Sequence, residues 1–181
     1  MENNPDIGAP PPVWTRLKFE ARAAAADEPT MASYLDAAIL SHDTICQALA
    51  FHIAEKLAGP EMGAQQVRQV VANAYDTNHG LVEAAEADMQ ATLERAPACR
   101  GMLQPFLFFK GFIALQTHRV ANHLWRQGRE TLAFHFQSRA SELFAVDIHP
   151  AARIGKGVML DHATDITIGE TAIIGDNCSL L

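Results

Sequence analysis

The stretch 146-VDIHPAARIGKGVMLDHATDITIGETAIIGDNCSLL-181 decides how this chain folds. Ile148, Ile154, Leu160, Ile166, Ala172 and Cys178 follow one another at intervals of six, and a second, partly apolar row runs two places on through Ile168, Ile174 and Leu180. Neither a helix nor a strand has that period. Six is the period of a parallel β-helix, in which each short strand turns one aliphatic side chain inward and successive coils stack their cores. Gly155, Gly157, Gly169 and Gly175 fall between the apolar positions, where the chain must turn.

Set into the repeat are residues that it does not need: Asp161, His162, Ala163 and Thr164, with Asp147 and His149 upstream. If three hexapeptides make one coil, residue 144 lies beneath residue 162, with Asp147 three positions along. Adjacent coils are about 4.8 Å apart, so this count brings the Asp147 carboxylate and the His162 imidazole within reach of each other. A histidine oriented by a carboxylate is the basic unit for activating a hydroxyl as a nucleophile. His149 is read as structural, and Arg153 and Lys156 as solvated turn residues. Asp147, His149, Asp161 and His162 are conceivable metal ligands, but the base-and-partner reading already accounts for two of them, so no metal is assigned.

The rest of the chain is helical in pattern. With 181 residues, 49% of them hydrophobic, it is able to bury a sizeable core. Residues 1–12 are polar and Pro-rich and are read as disordered, unlike a signal peptide; no apolar run reaches membrane-spanning length, so a cytoplasmic location is expected. A net charge of −7 without a basic stripe argues against nucleic acid. Cys46, Cys99 and Cys178 are far apart and odd in number, which suggests reduced, buried thiols.

From residue 13 to 145 the periodicity predicts successive helices: one ended by Pro29, one capped by Ser41 or Asp43 and stopped by Gly59 and Pro60, and two over 64–75 and 81–95 with a turn at 76–80. A longer helix follows Pro105 and closes at Gly128, and a last one covers 130–145. This last helix runs into residue 146 without a linker, so the two parts are expected to be rigidly joined. His42, His52, His79, His118, His123 and His135 have no carboxylate at a telling spacing and are given no role.

The run VDIHPAARIGKGVMLDHATDITIGETA, with FLFFKGFIALQTHRVANHLWRQGR, IAEKLAGPEM and VWTRLKFEARAAAADEP before it, closely resembles the bacterial serine O-acetyltransferases from about residue 13 onward. The resemblance implies an α+β chain: an N-terminal all-helical oligomerisation domain over 13–145, then the first coils of a left-handed parallel β-helix over 146–181. It implies transfer of acetyl from acetyl-CoA to the L-serine hydroxyl, on the route to cysteine. Enzymes of this family are hexamers, built as dimers of trimers, with active sites between neighbouring β-helices; L-cysteine inhibits them by occupying the serine site.

By the same resemblance His162 matches the catalytic base, Asp147 the carboxylate that holds its imidazole, and Asp161 a residue that binds the serine ammonium. The family's Asp-Pro pair, whose Asp also grips that ammonium, aligns with Ala96 and Pro97; the carboxylate is missing, and Glu94 lies two residues out of register as a substitute. Asp165 stands where the family usually has glycine. The chain also carries fewer coils than the family, so it reads as a truncated form. The acetyl-CoA site and the tail that docks into O-acetylserine sulfhydrylase are expected beyond Leu181. Two other readings stay open: a non-catalytic assembly module, and an acetyltransferase for another small hydroxylated acceptor, which Ala96 permits.

Overall fold

The computed structural model describes residues 12–181, so the segment expected to be disordered lies, apart from Pro12, outside the described residues. Helix α1 (Val13–Asp27) buries Leu17 and Ala21, one turn apart, and Pro29 follows its end. A 3-10 turn (Pro29–Met31), the single-turn α2 (Ala32–Leu35) and a π turn (Asp36–Leu40) lead to α3 (Ile45–Leu57). The cap of α3 is Thr44 rather than the expected Ser41 or Asp43: its hydroxyl accepts from Gln47 N–H at 3.3 Å. Ser41 N–H is already used to close the π turn, and Asp43 N–H donates to the Gln47 side chain.

Helices α4 (Ala64–Thr77) and α5 (His79–Arg95) are separated by one residue, where a five-residue turn was expected. Asn78 makes this break alone, its side-chain oxygen accepting from Gly80 N–H at 3.1 Å. Pro105 lies inside a separate short helix, α6 (Leu103–Leu107), ahead of α7 (Lys110–Arg126). Helix α7 is the centre of the helical block: every residue from Gly111 to Ala121 is buried. Each large apolar side chain there, such as Phe112 or Ile113, contributes about 1.5 to 3 kcal/mol by burial. Gly128, with φ +73°, ends the following turn, and α8 (Glu130–Phe144) stops at Ala145 in the left-handed conformation (φ 53°). The next residue, Val146, begins a strand, so the two parts are joined without a linker.

Six short strands follow: β1 (Val146–Ile148), β2 (Arg153–Ile154), β3 (Met159–Leu160), β4 (Ile166–Ile168), β5 (Ile173–Ile174) and β6 (Ser179–Leu180). They pair in parallel as β1–β4, β2–β5 and β3–β6, the first turns of an unclosed left-handed β-helix. Val146 pairs with Ile166, Arg153 with Ile173 and Met159 with Ser179, a step of 20 residues in each case rather than the expected 18. Ile148, Ile154 and Leu160 keep the interval of six and stand beneath Ile168, Ile174 and Leu180. The row expected to continue through Ile166, Ala172 and Cys178 is therefore not the stacked continuation of the first; it lies two places out of phase. The two additional residues lie between Leu160 and Ile166, where the chain bulges outward.

Three helix side chains grip the turns of the first coil. Buried Arg119 donates to Gly155 O at 2.7 Å and Ile154 O at 3.4 Å, while Asn122 reaches Pro150 O at 2.7 Å and Ala152 O at 3.1 Å. Arg95 donates to Gly157 O at 3.1 Å and, one coil on, to Cys178 O at 3.3 Å. Arg119 is itself held by Asp88, whose carboxylate is 0% exposed and accepts from Arg119 Nε and Nη2, Gln116 Nε2 and Val158 N–H at 2.8 to 2.9 Å. Four hydrogen bonds answer the cost of burying this charge.

Candidate active site

The bulge between β3 and β4 carries the motif singled out in the sequence. His162, Ala163 and Asp165 have φ of 51°, 56° and 63°, a left-handed conformation that costs a non-glycine residue about 1 to 2 kcal/mol. The alternation this produces turns the Ala163 methyl into the core, 2% exposed, and leaves His162 exposed beside it. Asp161 N–H is fixed to Leu180 O at 2.9 Å and Asp165 N–H to Ala145 O at 2.8 Å, so both ends of the bulge are tied to neighbouring backbone. Helix α7 approaches closely here: a Cβ on Gly111 would lie 2.1 Å from Leu160 O, so only glycine fits. Next to it, Lys110 Nζ donates to Thr164 Oγ1 at 2.5 Å.

His162 and Asp161 line a recess of about 530 Å³ together with Ala96, Pro97, Phe109 and Lys110. The structure thus brings together His162, Asp161 and Pro97, three of the four residues read from the sequence. Ala96 is buried in the same wall, so the position lacking a carboxylate does face this space. Glu94 is no substitute in the single chain: it is exposed, accepts from Gln90 Nε2 at 2.7 Å, and does not line the recess.

Asp147 stands apart. Its Oδ1 accepts from Gln137 Nε2 at 2.6 Å, and it borders a separate hollow with Phe134, Ser138 and Glu142. The longer coil explains the separation: Asp147 pairs with Thr167, beyond the bulge, rather than lying just along from a residue under His162. His149 has the structural surroundings expected of it. Its ring meets Trp125 and Phe134 edge-on at centroid distances of 5.3 and 5.5 Å, and its Nδ1 accepts from Ala151 N–H at 3.1 Å.

Sequence reasoning missed Asp88, Arg119 and Lys110. The signal for the first pair was present, an Asp and an Arg each embedded in apolar helix faces, but they lie 31 residues apart and nothing local links them. Burial pushes the Asp88 carboxyl above its ordinary value, against the pull of Arg119, Gln116 and Val158 N–H. Two histidines left without a role are deeply buried. Burial, Arg119 and His149 take His118 down to about 3 against the pull of the Ala152 carbonyl; burial and Lys56 take His52 down to about 4 against that of Leu107. Cys46, Cys99 and Cys178 are free and half-buried rather than fully buried. Among the described residues no group of three His, Cys, Asp or Glu side chains is placed to hold a metal ion.

Residues 13–117 match the family model described as serine acetyltransferase, N-terminal. Serine acetyltransferase 4 of Arabidopsis thaliana is 47% identical over 170 residues, covering 94% of this chain and 48% of that protein. The serine acetyltransferase of Escherichia coli K12 is 46% identical over 169 residues, covering 93% of this chain and 62% of that protein. Plant and bacterial relatives thus match equally well, and the resemblance is not confined to bacteria. The chain spans about half the length of the curated relatives it matches. Soybean serine acetyltransferase complexed with serine superposes with a TM-score of 0.91 at 48% identity, over 93% of this chain and 70% of that one. Two further serine acetyltransferase structures, in complex with CoA and with cysteine, each superpose at 0.91 with 42% identity, covering 93% and 92% of this chain and 72% and 69% of theirs.

Proposed function

This chain belongs to the serine acetyltransferase family, and from that premise we propose that it transfers acetyl from acetyl-CoA to the hydroxyl of L-serine, giving O-acetylserine for cysteine synthesis. The observation that carries the reading is the exposed imidazole of His162, raised with Asp161 on a left-handed bulge into the recess beside α7. His162 is the general base: it takes the proton from the serine hydroxyl as that oxygen bonds to the acetyl carbon, and returns it to the CoA sulfur as the carbon–sulfur bond breaks. Asp161 binds the serine ammonium by opposite charge, with Pro97 shaping the facing wall. The role that the resemblance gives Asp147, orienting the His162 ring, is proposed across the boundary between neighbouring β-helices, because within one chain its Oδ1 is bonded to Gln137 and it does not line the recess.

The same reading assigns acetyl-CoA as co-substrate, L-cysteine as inhibitor at the serine position and O-acetylserine sulfhydrylase as partner of the family. It takes 13–145 as a helical oligomerisation domain and 146–181 as the coil domain, assembled as a hexamer of two trimers. Phe108, Leu143 and Ile173, 59%, 43% and 66% exposed on the single chain, support self-association. A cytoplasmic location accords with helices of which none is long and apolar enough to cross a membrane, among the described residues.

Release of free CoA from acetyl-CoA on addition of L-serine, with wild type beside His162→Ala, tests the activity. Serine-dependent release that disappears in the variant is expected; equal release by both removes His162 from the chemistry. One observation favours a second acceptor, namely Ala96 in the wall of the recess. Losing a charge-assisted hydrogen bond costs about 1.5 to 3 kcal/mol. Ala96→Asp is therefore expected to lower the KM for serine about ten- to a hundredfold, and an unchanged KM together with faster transfer to another hydroxylated acceptor favours the second reading.

A further inference from the structure

The bulge that carries His162 is strained at three of its five residues, and a strained segment persists only where its surroundings over-determine it. Its backbone ties lie at its ends: Asp161 N–H to Leu180 O, and Asp165 N–H to Ala145 O. Inside the bulge, Ala163 N–H turns back on Asp161 O, Ala163 O accepts from Ile166 N–H at 3.5 Å, and the Ala163 methyl is seated in the core. Among the described residues, one side-chain hydrogen bond reaches residues 161–165 from elsewhere, that from Lys110 Nζ to Thr164 Oγ1.

Lys110 is itself well anchored. It is the first residue of the 17-residue α7, and its neighbour Gly111 rests directly against Leu160 O, the last carbonyl before the bulge. Consecutive residues of one helix therefore hold the bulge from both sides, Gly111 at its entry and Lys110 at Thr164, with His162 between. We propose that Lys110 is a positioning residue for the His162 base, acting through Thr164 to hold the bulge in its left-handed form.

The proposal rests on the role assigned above to His162, so it is tested by a signal that needs no turnover. In the full 181-residue chain labelled with ¹³C-histidine and ¹³C,¹⁵N-alanine, the His162 ring resonance, assigned with His162→Gln, and the Ala163 Cα resonance report the geometry of the bulge. Lys110→Met removes the donor and keeps the stem, Thr164→Val removes the acceptor and keeps the shape, and Lys110→Arg keeps a donor.

Expected are matching displacements of both resonances in Lys110→Met and Thr164→Val, no further displacement in the double variant, and recovery with Lys110→Arg. His162 and Ala163 signals unmoved in Lys110→Met overturn the proposal, whether or not the wild-type chain transfers acetyl. In turnover, a roughly ten- to hundredfold fall in kcat with the serine KM unchanged is expected of both single variants. A raised serine KM in Lys110→Met with a silent Thr164→Val also overturns it, because Lys110 would then contact the acceptor directly. Displaced resonances in a wild-type background without acetyl transfer count against the acetyltransferase reading and leave the positioning role of Lys110 intact.

Discussion

Two turns of the same coil, Gly155–Val158 and Asp161–Asp165, are built on opposite plans. The first is held from below by buried charge: Arg119 takes the carbonyls of Ile154 and Gly155, Arg95 that of Gly157, and Asp88 the amide of Val158. Its one left-handed residue is a glycine, Gly157. The second has three left-handed residues that are not glycine, lies largely exposed, and is held within its span by one side-chain bond. Both turns are served by α7, yet stability is concentrated in one and reactive exposure in the other.

The largest test of this contrast is Asp88→Ala. Removing one partner of a buried ion pair leaves Arg119 uncompensated, and a loss of about 3 to 5 kcal/mol in urea unfolding is expected. A loss under about 1 kcal/mol would show that the coil does not depend on the clamp.

Acid is expected to act on the helical block as well. His118, next to Arg119, and His52 have folded pKa values depressed to about 3 and about 4 from an ordinary 6.5, so both stay neutral when folded and take up protons on unfolding. Their contribution is complete above pH 6.5 and is lost as pH falls towards those values. At pH 5 each accounts for on the order of 2 kcal/mol. Thermal unfolding between pH 7 and 4.5 checks this, and a flat profile would contradict neutral buried rings.

Smaller effects distinguish the turns from one another. Gly111→Ala forces a methyl against Leu160 O, and about 1 to 3 kcal/mol of destabilisation is expected, with loss of turnover because the entry to the bulge moves. Ala145→Gly relieves a left-handed helix end that does not line the recess and keeps the carbonyl that takes Asp165 N–H, so it should raise stability by about 1 kcal/mol with activity unchanged. Ala163→Gly relieves the same strain inside the bulge but frees it; stability should change by less than about 1 kcal/mol while kcat falls. Equal activity in these two glycine variants would mean that the rigidity of the left-handed bulge is not needed for the chemistry.

Much of this was legible in the sequence because it is periodic or local. Helix order and the start of the coil at Val146 follow from spacing along the chain, whereas Asp161 and Pro97 entered through the family resemblance, and the meeting of His162 with Asp147 suggested by the count of six is not made within one chain. The Thr44 cap was missed because Ser41, Asp43 and Thr44 offer similar hydroxyl or carboxylate oxygens within four positions, and only the backbone bond to Gln47 decides among them. The Asp88–Arg119 clamp and the Lys110–Thr164 bond join residues 31 and 54 positions apart, for which no local pattern exists. The separation of Asp147 from the recess follows from the coil length, which an uninterrupted count of six cannot supply.

The 20-residue step amounts to a punctuation mark in a repetitive text. A reader counting in sixes from Ile148 stays in phase to Leu160 and then follows the wrong letters, because the frame slips by two at the residues proposed to carry the chemistry. Excising Thr164 and Asp165 would restore the metre, bringing Ile168, Ile174 and Leu180 into phase with Ile148 while keeping every atom of Asp161 and His162. Such a chain would be expected to wind as a smoother coil that has lost its outward loop, so that the interruption itself, rather than any single residue, separates a scaffold from a site.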